Sequence, residues 1–93
     1  METRMRIAVE ISLYPLDADY VPPIKAFIHQ LREFPGIEII TNQLSTQLTG
    51  EFADVSRALN ACMESSMTQG GRVVFVARYL NAKLDISRLP NLD

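Results

Sequence analysis

Glu10, Ser12 and Tyr14 stand at every second position of the run Arg6-Ile7-Ala8-Val9-Glu10-Ile11-Ser12-Leu13-Tyr14-Pro15-Leu16. In an extended chain that spacing puts a carboxylate, a hydroxyl and a phenol on one side. A second polar series, Ser45, Gln47 and Thr49, alternates further along, with Asn42 just before it and Thr46 within it. Side chains of these types hydrogen-bond a small heteroaromatic ligand, for which Tyr14 or Phe75 offers a stacking surface. Glu10 is also suited to meet a cation, or to pair with Arg78 across a sheet. The competing reading of the same pattern is a polar sheet face at a wet interface.

Residue types that commonly carry catalysis fall elsewhere. His29 points away from the apolar stripe of its helix and reads as a solvated surface histidine. Cys62 sits inside an apolar stripe, where a thiol behaves as a small hydrophobe. Gly70-Gly71 lacks the lysine and the strand-loop-helix order of a phosphate loop. No two carboxylates are spaced for acid–base work. One cysteine and one histidine do not make a structural zinc site. A non-enzymatic protein without metal or cofactor is therefore expected.

The elements that must position the polar set follow from periodicity. Ile7, Val9, Ile11 and Leu13 alternate with the polar residues and mark a half-buried strand, which Pro15 ends because it cannot donate to the ladder. A helix is expected to start between Asp19 and Pro22, since prolines suit the first turn. Its apolar stripe is Tyr20, Val21, Ile24, Phe27, Ile28, Leu31 and Phe34, and Pro35-Gly36 closes it. Ile37 to Thr41 reads as a second strand, Asn42-Gln43 as a turn, and Leu44 to Thr49 as a third strand. Leu44, Thr46 and Leu48 then share one face, and Ser45, Gln47 and Thr49 the other. Gly50 is read as the exit to a second helix, favoured by Glu51 and Asp54 at its start. That helix buries Phe52, Val55, Ala58, Leu59, Cys62 and Met63, and Gln69-Gly70-Gly71 closes it. Arg72 to Leu80 is the last strand; its first half does not alternate, so cover on both faces is expected. Residues 81–93 show no clear period.

Strand-helix-strand-strand-helix-strand is the α+β, ferredoxin-like βαββαβ plan. Right-handed crossovers place the first strand beside the third and fourth, with two helices on one face of a four-stranded antiparallel sheet. The opposite face then carries Val73 or Val74 and their neighbours, for which a second subunit is the expected cover. A homodimer or homotetramer follows.

Bulk properties limit the partners. At 93 residues the chain is a single domain, and a 47% apolar share is ordinary for a globular one. A net charge of −2 argues against a nucleic-acid or polybasic membrane role. The N-terminus, Met1 to Arg6, lacks the apolar segment of a signal peptide, and no apolar run approaches membrane-spanning length. A cytoplasmic domain is expected.

Three pieces in this order resemble the YkoF-like thiamine/hydroxymethylpyrimidine-binding proteins, small ferredoxin-like domains of the thiamine-binding group. They are Ile11-Ser12-Leu13-Tyr14-Pro15-Leu16 with Asp19-Tyr20, Thr41 to Gly50, and Gly70-Gly71-Arg72-Val73-Val74. The resemblance spans about residues 6 to 80. It implies a non-enzymatic binder of thiamine or its pyrimidine precursor, used in salvage or transport. The positions that carry over are Ser12, Tyr14, Ser45, Thr46 and Gly50. Two departures stand out. The founding type holds two such domains in one chain, so here pairing falls to identical subunits. The last strand ends Ala77-Arg78-Tyr79-Leu80-Asn81, without the small-residue, cysteine-containing ending of that type. The full candidate set is Glu10, Ser12, Tyr14, Asn42, Ser45, Thr46 and Thr49. The rival functions are an ACT-like regulatory module for another metabolite, though Leu16-Asp17-Ala18-Asp19 offers no glycine turn, and a ligand-free dimerisation protein.

Overall fold

The alternation of Ile7, Val9, Ile11 and Leu13 forms strand β1, Arg6–Pro15, with all four side chains buried. The computed structural model describes residues 4–93; the reading of the N-terminus rests partly on residues 1–3, which lie outside them. Helix α1 spans Val21–Leu31 with proline in its first turn, β2 Ile37–Thr41, β3 Thr46–Glu51, α2 Phe52–Thr68 and β4 Val73–Leu80. The sheet order is β2-β3-β1-β4 with every pair antiparallel, so the fold is the ferredoxin-like α+β plan. No helix among the described residues is long and apolar enough to cross a membrane.

The core lies between the sheet and the two helices. Phe27 and Leu31 of α1 and Val55, Leu59 and Cys62 of α2 pack on Ile11 and Leu48 of the sheet. Phe75 of β4 meets Phe27 with ring centroids 5.2 Å apart and planes tilted by 46°. Burial pushes the Cys62 thiol up to about 11, with the Glu33 carboxylate adding to the shift. The protonated, inert form is thus favoured.

Several boundaries differ from the sequence reading, each for a local reason. The third strand begins at Thr46, not Leu44. Asn42 Oδ1 accepts the N–H groups of Leu44 (2.9 Å) and Ser45 (3.1 Å), which takes both donors out of the ladder. Leu44 is 88% exposed rather than part of an apolar face. Gly50 is a strand residue, opposite Ile7 and Ile37, and not an exit. A Cβ at Gly50 would stand 2.8 Å from the Gly36 carbonyl oxygen, so glycine here permits a close backbone approach. Helix α1 ends at Leu31; bonds from Glu33 and Phe34 N–H to Gln30 and Leu31 carbonyls then make tight turns, before Gly36 takes φ of 81°. Tyr20, Val21 and Phe52 are exposed, because the buried stripes of both helices are narrower than the periodicity suggested.

Strand β4 also behaves differently. Val73 and Phe75 pack against the core, while Val74 and Val76 point to the opposite face and are 45% and 53% exposed. Within one chain that face is covered only in part. Leu84 and Ile86 from the irregular segment 81–93 line a depression over Ala8, Glu10 and Arg78, at one end of the sheet. The other end, with Ser12, Tyr14, Val74 and Val76, stays open.

Candidate functional site

Strand β1 is longer than the strand beside it. Its pairing with β3 runs from Arg6↔Glu51 to Ile11↔Thr46 and stops there, whereas its pairing with β4 continues to Pro15↔Val73. Ser12 to Pro15 therefore overhang β3, and the β2–β3 loop, residues 42–45, bends across the gap. Between this overhang, the loop and the outer side of α1 lies a cavity of about 320 Å³. Residues of both parities, Ile11 to Pro15 in succession, line it. Side chains of one parity point away from the helices, so the strand edge itself forms the wall.

Ile24 and Ile28 of helix α1, with Tyr20 at its N-cap, supply the facing wall. These are spaced by four residues and form one ridge, while Phe27 and Leu31 form the next and enter the core. Thr41 and Thr46 pair across β2 and β3, with their hydroxyl oxygens 3.0 Å apart. Thr46 is buried beside Ile11 on the helix-facing side, and Thr41 is exposed. Either hydroxyl can donate to the other, which leaves one proton free to turn to a third group. Every side chain lining the cavity is apolar, hydroxyl-bearing or amide.

The structure brings Ser12, Tyr14, Asn42, Ser45 and Thr46 to this cavity and leaves Glu10 and Thr49 outside it. The sequence reading put Thr46 on the face opposite Ser45, Gln47 and Thr49, and the pleat does the same: Thr46 faces the helices beside Ile11, while Glu10, Ser12 and Tyr14 belong to the opposite face. Thr49 is buried, and its hydroxyl donates to the Ile7 carbonyl at 3.1 Å. Glu10 accepts a hydrogen bond from Ser45 Oγ at 2.9 Å and pairs with Arg78, as its position opposite Arg78 in the ladder allows. Ser12 Oγ donates to the Leu44 carbonyl at 3.3 Å. Sequence reasoning missed Thr41, Gln43, and the Tyr20-Ile24-Ile28 ridge. The signal for the ridge was an apolar stripe wider than one core contact needs.

The Ser45 hydroxyl, and after it Arg78, hold the Glu10 carboxyl below the ordinary carboxylate range, with desolvation opposing them. Because the folded state holds the charged form more firmly, this contribution to stability is complete above the ordinary glutamate range. It is lost as pH falls through the lowered folded value. An NMR titration is expected to place the Glu10 midpoint below that of a free glutamate, and Ser45→Ala to move it upward. An unmoved midpoint in that variant would contradict the hydrogen-bond assignment.

Solved structures of the same shape include a protein from Methanocaldococcus jannascii, with TM-score 0.75 and 20% identity over 91% of this chain and 89% of that one. A protein from Streptococcus pneumoniae gives 0.78 and 20%, over 86% and 90%. A candidate thiamine biosynthesis/salvage protein from Thermotoga maritima gives 0.75 and 16%, over 88% and 91%. At these identities the likeness concerns the fold. A search among curated proteins found no match. The sequence model of the YKOF-related family matches residues 6–79, which take in all six elements but for the last residue of β4, and the chain belongs to that family.

Proposed function

We propose that this protein is a non-enzymatic binder of thiamine or its hydroxymethylpyrimidine precursor, serving salvage or transport in the cytoplasm as a homodimer or homotetramer. The observation that carries the reading is the uncharged cavity between the β1 overhang and α1. Its volume, about 320 Å³, lies at the small end of the range for ligand sites. An aminopyrimidine ring carries adjacent donors and acceptors on a flat apolar body. The exposed edge of a strand offers donors and acceptors in turn, the Thr41–Thr46 pair and the Asn42 amide add more, and Tyr14 and Tyr20 supply aromatic walls. Family membership and the name of the Thermotoga maritima structure support the same ligand class. Binding rather than catalysis is favoured because the histidine is exposed on α1 and the cysteine is buried in the core, both away from the cavity lining. A phosphate ester would meet no countercharge on that lining, so the unphosphorylated ring is the preferred form. The homo-oligomer rests on the open end of the sheet, where Tyr14, Val74 and Val76 are exposed together.

A thermal-shift panel of thiamine, hydroxymethylpyrimidine, their phosphates and amino acids tests the assignment, since a ligand that binds only the folded state raises the melting temperature. A shift with hydroxymethylpyrimidine or thiamine is expected. A shift with amino acids alone would favour a regulatory module, and none at all a ligand-free role. Calorimetric titration then reads Thr46→Val, which keeps the volume and removes the hydroxyl. The expected loss of affinity is roughly 1–3 kcal/mol, from a ligand group left without its partner. Unchanged affinity would move the ring away from the threonine pair.

A further inference from the structure

The loop that walls the cavity is fastened from the opposite face of the sheet. Asn42 fixes the loop's own shape: its side-chain oxygen takes two loop N–H groups, and its backbone N–H donates to the Ser45 carbonyl at 3.0 Å. None of these bonds ties the loop to β1, because strand pairing there begins only at Ile11↔Thr46. Two side chains of β1 cross the gap. Ser12 holds the Leu44 carbonyl at 3.3 Å, and Glu10 takes the Ser45 hydroxyl at 2.9 Å. The second oxygen of Glu10 takes Arg78 from β4, so one carboxylate links β1, β4 and the loop.

We infer that Glu10, which does not line the cavity, is a positioning residue for it: through Ser45 it clamps the β2–β3 loop against the β1 overhang. The inference rests on the ligand reading above, but its first measurement does not. The two bonds of Glu10 are unequal in consequence. Its pair with Arg78 is solvent-facing, with the arginine side chain 81% exposed, and pairs of that kind contribute little. The bond to Ser45 is charge-assisted, partly buried, and one of the loop's two attachments to β1. Glu10→Gln retains an acceptor oxygen for Ser45 and loses only the charge, whereas Glu10→Ala loses the clamp.

The test measures amide hydrogen exchange at Leu44 and Ser45 in the wild type, Glu10→Ala, Glu10→Gln, Ser45→Ala and the Glu10→Ala/Ser45→Ala double variant. Calorimetric titration with hydroxymethylpyrimidine follows. Glu10→Ala is expected to speed exchange at both amides about tenfold and to weaken binding by a similar factor, as loss of one charge-assisted bond implies. Glu10→Gln should restore most of both, and the double variant should be no worse than Ser45→Ala, because residues acting through one bond are not additive. A surface ion pair without a positioning role would leave exchange in Glu10→Ala unchanged, and that result overturns the inference. So does an additive double variant, or faster exchange with wild-type affinity. If exchange behaves as expected but the wild-type protein does not bind hydroxymethylpyrimidine, the ligand reading fails and the clamp stands.

Discussion

Replacing Phe27 with alanine is expected to destabilise the protein by about 3–5 kcal/mol, the cost of a phenyl-sized cavity in a packed core. Phe27 is 2% exposed, meets the Phe75 ring at 5.2 Å in a tilted contact, and joins α1 to the last strand of the sheet. For a chain of 93 residues that loss lowers the melting temperature by more than about 10 °C. It also loosens α1, whose neighbouring ridge of Tyr20, Ile24 and Ile28 walls the cavity, so ligand binding should weaken as well. Urea unfolding with parallel titration checks both effects. A loss below about 1 kcal/mol would contradict the burial of Phe27 itself, because even a fully collapsed gap leaves the lost transfer of the ring from water.

Val76→Asp is expected to act on assembly and to spare the fold. Val76 lies opposite Ser12 on the open end of the sheet, 53% exposed, beside Val74 and Tyr14. A carboxylate there stays hydrated in a single subunit, so melting of the monomer should change little. Buried under a second subunit it has no partner, and an unpaired buried charge costs about 3–5 kcal/mol, a factor of roughly 10² to 10³ or more in dissociation. Sedimentation should find the wild type as a dimer or tetramer at micromolar concentration and the variant dissociating there. A wild type that sediments only as a 10.5 kDa species would sink the oligomer proposal. Phe75→Asp provides the contrast: one position along the same strand it enters the core, and the whole chain should unfold.

These two neighbours mark the limit of what the sequence alone decides. Alternation along β1, prolines opening α1, and the Gly36 turn are local, set by the pleat, by φ and by donors a residue has or lacks; all three are legible in one dimension. From them the element order and the right-handed crossover give the β2-β3-β1-β4 sheet. The run Val73-Val74-Phe75-Val76-Ala77 does not alternate, so its phase had no local signature. The register with β1 settled it, placing Val74 opposite Tyr14 and Val76 opposite Ser12.

The site divides in the same way. Ser12, Tyr14, Ser45 and Thr46 were identifiable as polar groups in strand-like runs, and the side chains of Ser45 and Thr46 do take opposite faces. What no local pattern contains is the overhang of β1 past β3. It exists because Asn42 captures the N–H groups of Leu44 and Ser45 and delays the start of β3. It became a cavity because α1 crosses above it. Sequence periodicity reports which face a side chain takes along its own strand. The distance between two strand ends depends on register and loop closure, and only the tertiary structure fixes those.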